Sequence, residues 1–200
     1  MTTRRATIGR TRAPALLPVV LAAVAVLAAG CPAGSTEPPA RTAASPTPPT
    51  TLRLITPDTL GGLPKSRDRG LLAAPTKTMG ALKQMVPGVT SAIAWAYGGR
   101  SDQEDAIAVS GVTGNIADPA GLLDWLFAQQ TVVSDVRPVI PGPLGGEVRC
   151  GTTQKNGYHV TVCLRADRNS IGQVVVLSRS PGDWISDIAG IRGQLVAPPG

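Results

Sequence analysis

The dipeptide Asn156-Gly157 lies between two runs that alternate as strands, and it is the preferred centre of a two-residue type I′ hairpin turn because both positions need positive φ. Such a turn fixes a register in which paired residue numbers sum to 313: Lys155 faces Tyr158, Thr153 faces Val160, and Cys150 faces Cys163. Pair types alternate outward from the turn, so the two cysteines fall on a non-hydrogen-bonded pair. Side chains approach most closely there, at a Cα separation of roughly 4.5 to 5.5 Å, which a disulfide can bridge. A crosslink closing this loop stabilises by about 3 kcal/mol on the chain-entropy model. The alternative is two reduced core cysteines or a redox pair, although the spacing is not that of a Cys-x-x-Cys motif. One conflict stays open. Val160, Val162 and Leu164 want the core face, and this register puts Arg149 on the same face, so a bulge or a longer loop is the other solution.

A disulfide needs an oxidising compartment, and the first thirty residues supply the address. Arg4, Arg5, Arg10 and Arg12 precede an uncharged stretch, Ala13 to Gly30, rich in Leu, Val and Ala. A basic region, an apolar region and small residues before a cleavage point make a secretory signal. The ending Leu27-Ala28-Ala29-Gly30-Cys31 resembles the bacterial lipobox, whose cysteine is joined to diacylglycerol and becomes the first residue after cleavage. Ala28 stands where Leu is commonest. The rivals are an uncleaved membrane anchor and simple secretion with Cys31 as a free thiol. The anchor is at the short end of the roughly 17 to 25 residues a span requires, and Pro14 and Pro18 interrupt it. Arg4-Arg5 also hints at twin-arginine export.

Residues 32 to 50 carry six prolines and almost no large apolar side chain. This composition cannot bury enough surface to offset its ordering entropy, which predicts a disordered spacer with polyproline II character. Fully extended, at about 3.1 Å per residue, it reaches on the order of 60 Å. The division is therefore a signal peptide over 1–30, a lipidated tether over 31–51 and one domain over 52–200. The charge divides the same way. Of 19 basic residues, four lie in the leader, leaving 15 against 13 acidic groups and a net +2 for the chain from Cys31. That removes most of the case for nucleic acid, and no nucleic-acid partner is expected, because the strong positive charge belongs to export.

Within the domain, Leu52–Thr56 reads as a strand and Pro75–Val86 as a helix with Pro75 in its first turn. Val89–Tyr97 alternates as a strand, with Val89, Ser91, Ile93, Trp95 and Tyr97 on one face, and Asp105–Val112 is its antiparallel neighbour. Asp118-Pro119 is a helix start, aspartate at the N-cap and proline at the first helical position. Leu122, Leu123, Leu126 and Phe127 make its apolar stripe, with Trp125 beside it. Val132–Ile140 reads as a strand, then come the hairpin, a strand over Gly172–Ser178, and a last helix opened by Ser180-Pro181. Strands and helices in this order, joined mostly by short connections, predict an α+β domain: a mainly antiparallel sheet covered by two or three helices.

The search for chemistry returns little. His159 is the single histidine, reads as a solvated strand residue near the hairpin tip, and no GxSxG elbow surrounds any serine. No phosphate-binding glycine loop occurs. One histidine and three cysteines cannot build a structural zinc site of four cysteines, or of two cysteines and two histidines. Asp102, Glu104 and Asp105 read as a solvated loop, Asp167 as the hydrogen-bonding residue of a turn, and Trp95, Trp125 and Trp184 as core. We expect no catalytic residues, metal or cofactor; the assigned positions are Cys31 for lipid and Cys150 with Cys163 for the disulfide.

The run Thr56-Pro57-Asp58-Thr59-Leu60-Gly61-Gly62-Leu63-Pro64, the segment Pro141-Gly142-Pro143-Leu144-Gly145-Gly146 before Cys150-Gly151, and Cys163 to Asp167 followed by Gly172 resemble a family of actinobacterial lipoproteins and membrane-tethered proteins. The likeness covers roughly residues 55 to 195. Where that family often has Cys-x-Trp-Ala-Asp, this chain has Arg165. The resemblance implies an exported domain with a cysteine pair and no known catalysis; a more distant one, to PsbP-like and LpqN-type domains, concerns the fold alone. The expected protein is held to the membrane through diacylglycerol on Cys31, on the extracytoplasmic face. Its domain is expected to be a module that binds an envelope protein or cell-wall component. The alternatives are an exported enzyme or accessory subunit using carboxylates, and a carrier of an apolar ligand held between sheet and helices.

Overall fold

A computed structural model describes residues 53–99 and 104–197; the expectations for the signal segment, Cys31 and the tether lie outside them. The elements are β1 (Arg53–Leu54), β2 (Thr59–Leu60), β3 (Leu63–Pro64), α1 (Arg69–Met85), β4 (Ser91–Gly98), β5 (Ala106–Thr113), α2 (Pro119–Gln129), β6 (Ser134–Pro138), β7 (Glu147–Lys155), β8 (Tyr158–Asp167), β9 (Ser170–Ser178), α3 (Trp184–Gly193) and β10 (Val196–Ala197). The main sheet has six strands in the order β4-β5-β9-β8-β7-β6, every neighbouring pair antiparallel. The α+β architecture is therefore the one expected. Short pairs β1-β10 and β2-β3 lie beside it.

Alternation along the strands gives the sheet two apolar faces and therefore two cores. On one face α1 covers β4 and β5 while α2 covers β7 and β8. Leu82, Val86, Val112, Leu123, Phe127, Val162 and Leu164 fill that space. On the other, Ile188, Ile191 and Leu195, in and just after α3, pack with Leu60, Tyr97, Ile107, Val109, Val174, Val176 and the Cys150–Cys163 pair.

Several boundaries differ from expectation. Helix α1 begins six residues before Pro75, because Asp68 caps it, its carboxylate accepting from the backbone N–H of Gly70 at 2.6 Å and of Leu71 at 3.4 Å. Pro75 sits buried inside the helix. Val89 precedes β4 and packs with the α1 and α2 core, not with Ile93, Trp95 and Tyr97. The final helix starts at Trp184, three residues after Pro181, with Asp183 at its N-cap. Strand β6 is shorter than Val132–Ile140 and wholly exposed. A register shift between Ser134 and Arg137, with Asp135 at φ 53°, bends it at the sheet edge. Trp125 is 51% exposed, so only Trp95 and Trp184 of the three tryptophans pack against a core.

Candidate functional site

The hairpin forms as its turn dictates. Asn156 and Gly157 have φ of 52° and 76°, and the pairing runs without interruption from Lys155↔Tyr158 to Glu147↔Ala166, through Cys150↔Cys163. The two sulfurs are 2.03 Å apart, with a Cα separation of 4.1 Å. No bulge relieves Arg149. It reaches instead to the edge of the α2 face and pairs with Asp124 of α2.

Beside the disulfide, the sheet carries a row of paired residues with a gap in its middle. Register places Ile93 opposite Gly111, Gly111 opposite Gly172, Gly172 opposite Arg165, and Arg165 opposite Val148. Two adjacent glycines on central strands remove the side chains that should meet α3, and they leave a trench. The resulting pocket is walled by Leu54, Ile93, Val174, Ile188 and Leu195, with Arg165 and Arg192 also lining it. Its free volume is about 50 Å³. Leu54 leans into the dent: a Cβ on Gly111 would lie 3.0 Å from Leu54 Cδ1.

Both arginines are buried, at 9% and 6% exposure, which is costly for a charged group unless it is fully hydrogen-bonded. The Pro141–Gly146 loop supplies the acceptors. Its turns use positive φ at Gly142, Gly145 and Gly146, and at Gly146 an added Cβ would meet the Ala166 carbonyl oxygen at 2.8 Å. So folded, the loop presents carbonyls inward. Arg165 donates to the Leu144 and Gly145 carbonyls at 3.2 and 3.4 Å, to Ser170 Oγ at 2.5 Å, and to the Asp167 carboxylate. Arg192 donates to the Pro141 and Gly145 carbonyls at 2.5 and 3.2 Å. Gly145 thus ties a strand arginine to a helix arginine.

Among the described residues Asp167 pairs with Arg165 and no carboxylate pairs with Arg192, leaving one positive charge in excess. Burial, and then the positive charge of Arg165, push the Arg192 pKa down from 12.5 to about 10, with Asp167 opposing; at neutral pH Arg192 is still a cation. Its Nε is buried without a partner. Asp167, as the sequence predicts, also holds its own turn, accepting from the N–H groups of Asn169 and Ser170, each at 2.7 Å. With those bonds, Ser170 Oγ and Arg165 all directed at it, this carboxylate has no lone pair left to act as a general base.

The other singled-out residues lie apart. His159 is half-buried on the wall of a polar cleft with Thr152, Thr161, Asp135 and Trp184. Asp105 accepts from the Arg179 N–H at 3.2 Å, and Asp102 is outside the described residues. Among the described residues no group of three or more His, Cys, Asp or Glu side chains could hold a metal ion, and no helix is long and apolar enough to cross a membrane. Sequence reasoning missed Arg165, Arg192, Gly111 and Gly172. The available signal for the first was Arg165-x-Asp167, two residues on one strand face beside a predicted turn. No family model, curated protein or solved structure matches the chain.

Proposed function

We propose that this chain is a lipid-anchored, extracytoplasmic binding protein of the cell envelope. The leader exports it, diacylglycerol on Cys31 retains it at the outer face of the membrane, and the proline-rich spacer holds the α+β domain away from the bilayer. The observation that carries the binding reading is the trench over Gly111 and Gly172, a concave apolar pocket with convergent polar groups at one end, which has the chemistry of a small-ligand site but, at about 50 Å³, is well below the roughly 300 to 1,000 Å³ of a site for a drug-sized molecule. It favours the carrier of an apolar ligand over the carboxylate enzyme, since the carboxylate beside it is fully engaged. The resemblance to actinobacterial lipoproteins and the disulfide, suited to an oxidising compartment, support the location. Changing Cys31→Ala should move the protein from the membrane fraction to the medium. A wild type that is already soluble, or a variant that stays membrane-bound, overturns the lipid anchor.

A further inference from the structure

Resting on the pocket reading, we infer that the ligand is a small carboxylate with a short apolar chain, the chain lying over Gly111 and Gly172 and the carboxylate meeting the guanidinium of Arg192. Three observations converge on that class. The walls are aliphatic: Leu54, Ile93, Val174, Ile188 and Leu195 offer a chain nothing to hydrogen-bond. The charge is unbalanced, since among the described residues Asp167 pairs with Arg165 and no carboxylate pairs with Arg192, so one anionic charge neutralises the cluster. A monoanion fits this count better than a dianionic phosphate. Finally, Arg192 lines the pocket and keeps a buried Nε–H with no acceptor. A buried donor left unpaired costs on the order of 1 to 3 kcal/mol, and a carboxylate would supply the acceptor while relieving the repulsion between the two arginines.

Size bounds the chain. A volume of about 50 Å³ lies between the roughly 10 to 15 Å³ that holds one water and the roughly 150 Å³ of a cavity that takes benzene. That admits a few methylene groups and excludes a whole membrane acyl tail.

The test uses the mature domain with its disulfide intact and compares butanoate, butan-1-ol, butylamine and butyl phosphate by calorimetry and thermal shift at neutral pH. Butanoate should bind most tightly, butanol about tenfold more weakly, and butylamine not at all. Arg192→Gln keeps an amide donor for the loop carbonyl but loses the charge; it should bring butanoate down to the affinity of butanol and leave butanol unchanged. Gly111→Val fills the trench and should abolish both, and Gly111→Ala, a smaller change on a strand with ordinary φ, should weaken both if the valine variant does not fold. Equal binding of butanoate and butanol, untouched by Arg192→Gln, overturns the carboxylate while leaving the pocket standing. Tighter binding of butyl phosphate than of butanoate also overturns the carboxylate. If neither butanoate nor butanol binds the wild type, the pocket reading falls as well.

Discussion

The two faces of the sheet solve the same burial problem in opposite ways. The face under α1 and α2 is closed with aliphatic and aromatic side chains, and the ion pair of Arg149 with Asp124 stays at its rim, where Asp124 is 66% exposed. The face under α3 holds the disulfide, two buried arginines and two facing glycines. It also holds every buried side-chain donor without a partner among the described residues: Trp95 Nε1, Tyr97 Oη and Arg192 Nε. Orphaned buried donors are rare in native proteins and each asks for a reason. Three on one face and none on the other mark the α3 side as the one shaped for something besides stability, since rules of consistent burial are broken mainly where function requires it.

The largest effect that separates the faces should come from their arginines. Changing Arg165→Met takes the charged partner from Asp167, one donor each from Ser170 and the Gly145 carbonyl, and the side-chain donor from the Leu144 carbonyl, and should cost about 3 to 5 kcal/mol. Removing Arg149, whose partner is largely in water, should cost less than about 1 kcal/mol. Urea unfolding of both variants decides the matter. Similar midpoints would mean that Arg165 and the Pro141–Gly146 loop do not hold one another, and the contrast between the faces would fail.

How legible each face was follows from how local its determinants are. The hairpin could be written from the sequence because its register depends only on Asn156-Gly157 and counting outward, and the observed pairing follows that count from Lys155↔Tyr158 through Cys150↔Cys163. The Arg149 conflict resolved without a bulge because α2 brings Asp124 to it, a partner 25 residues away that the strand pattern cannot reveal. Pro75 was misleading because a proline suits a first helical turn, yet the cap at Asp68 starts α1 earlier and the helix tolerates the proline. The trench was invisible for a stronger reason. Gly111 and Gly172 are 61 positions apart, and nothing local says that β5 lies beside β9 with those two residues paired. The buried state of Arg192 depends likewise on a loop 51 residues earlier in the chain.

The second effect concerns the crosslink, which sits on the α3 face but acts through the unfolded chain. Cys150 and Cys163 are 13 residues apart, and losing that loop closure should lower stability by about 3 kcal/mol, less if the reduced chain keeps the hairpin. For a domain of this size the melting temperature should fall by several degrees in Cys150→Ser or on reduction. An unchanged melting curve, or two titratable thiols in the oxidised native protein, removes the disulfide from the account of what holds this face.

The smallest effect tests the orphaned donors directly. Tyr97 is fully buried on β4, and burial, with the nearby Asp58 charge as a lesser cause, pushes its phenol from 10.0 up to about 12. The folded protein therefore keeps this proton between about pH 10 and 12 while the unfolded chain releases it. Stability from this group is fully present below pH 10 and is lost as pH rises through the folded value, an effect on the order of 2 kcal/mol. Changing Tyr97→Phe should abolish that part of the alkaline decline. At neutral pH the same change removes a hydroxyl with no partner, so stability should be unchanged or higher by up to about 1 kcal/mol. Urea midpoints at pH 8 and pH 11.5 for both proteins read the two effects together. If Tyr97→Phe instead destabilises at pH 8 by more than 1 kcal/mol, the hydroxyl has an acceptor in solution. The α3 face would then be as well satisfied around Tyr97 as its opposite, and the asymmetry would narrow to the arginine pair and its trench.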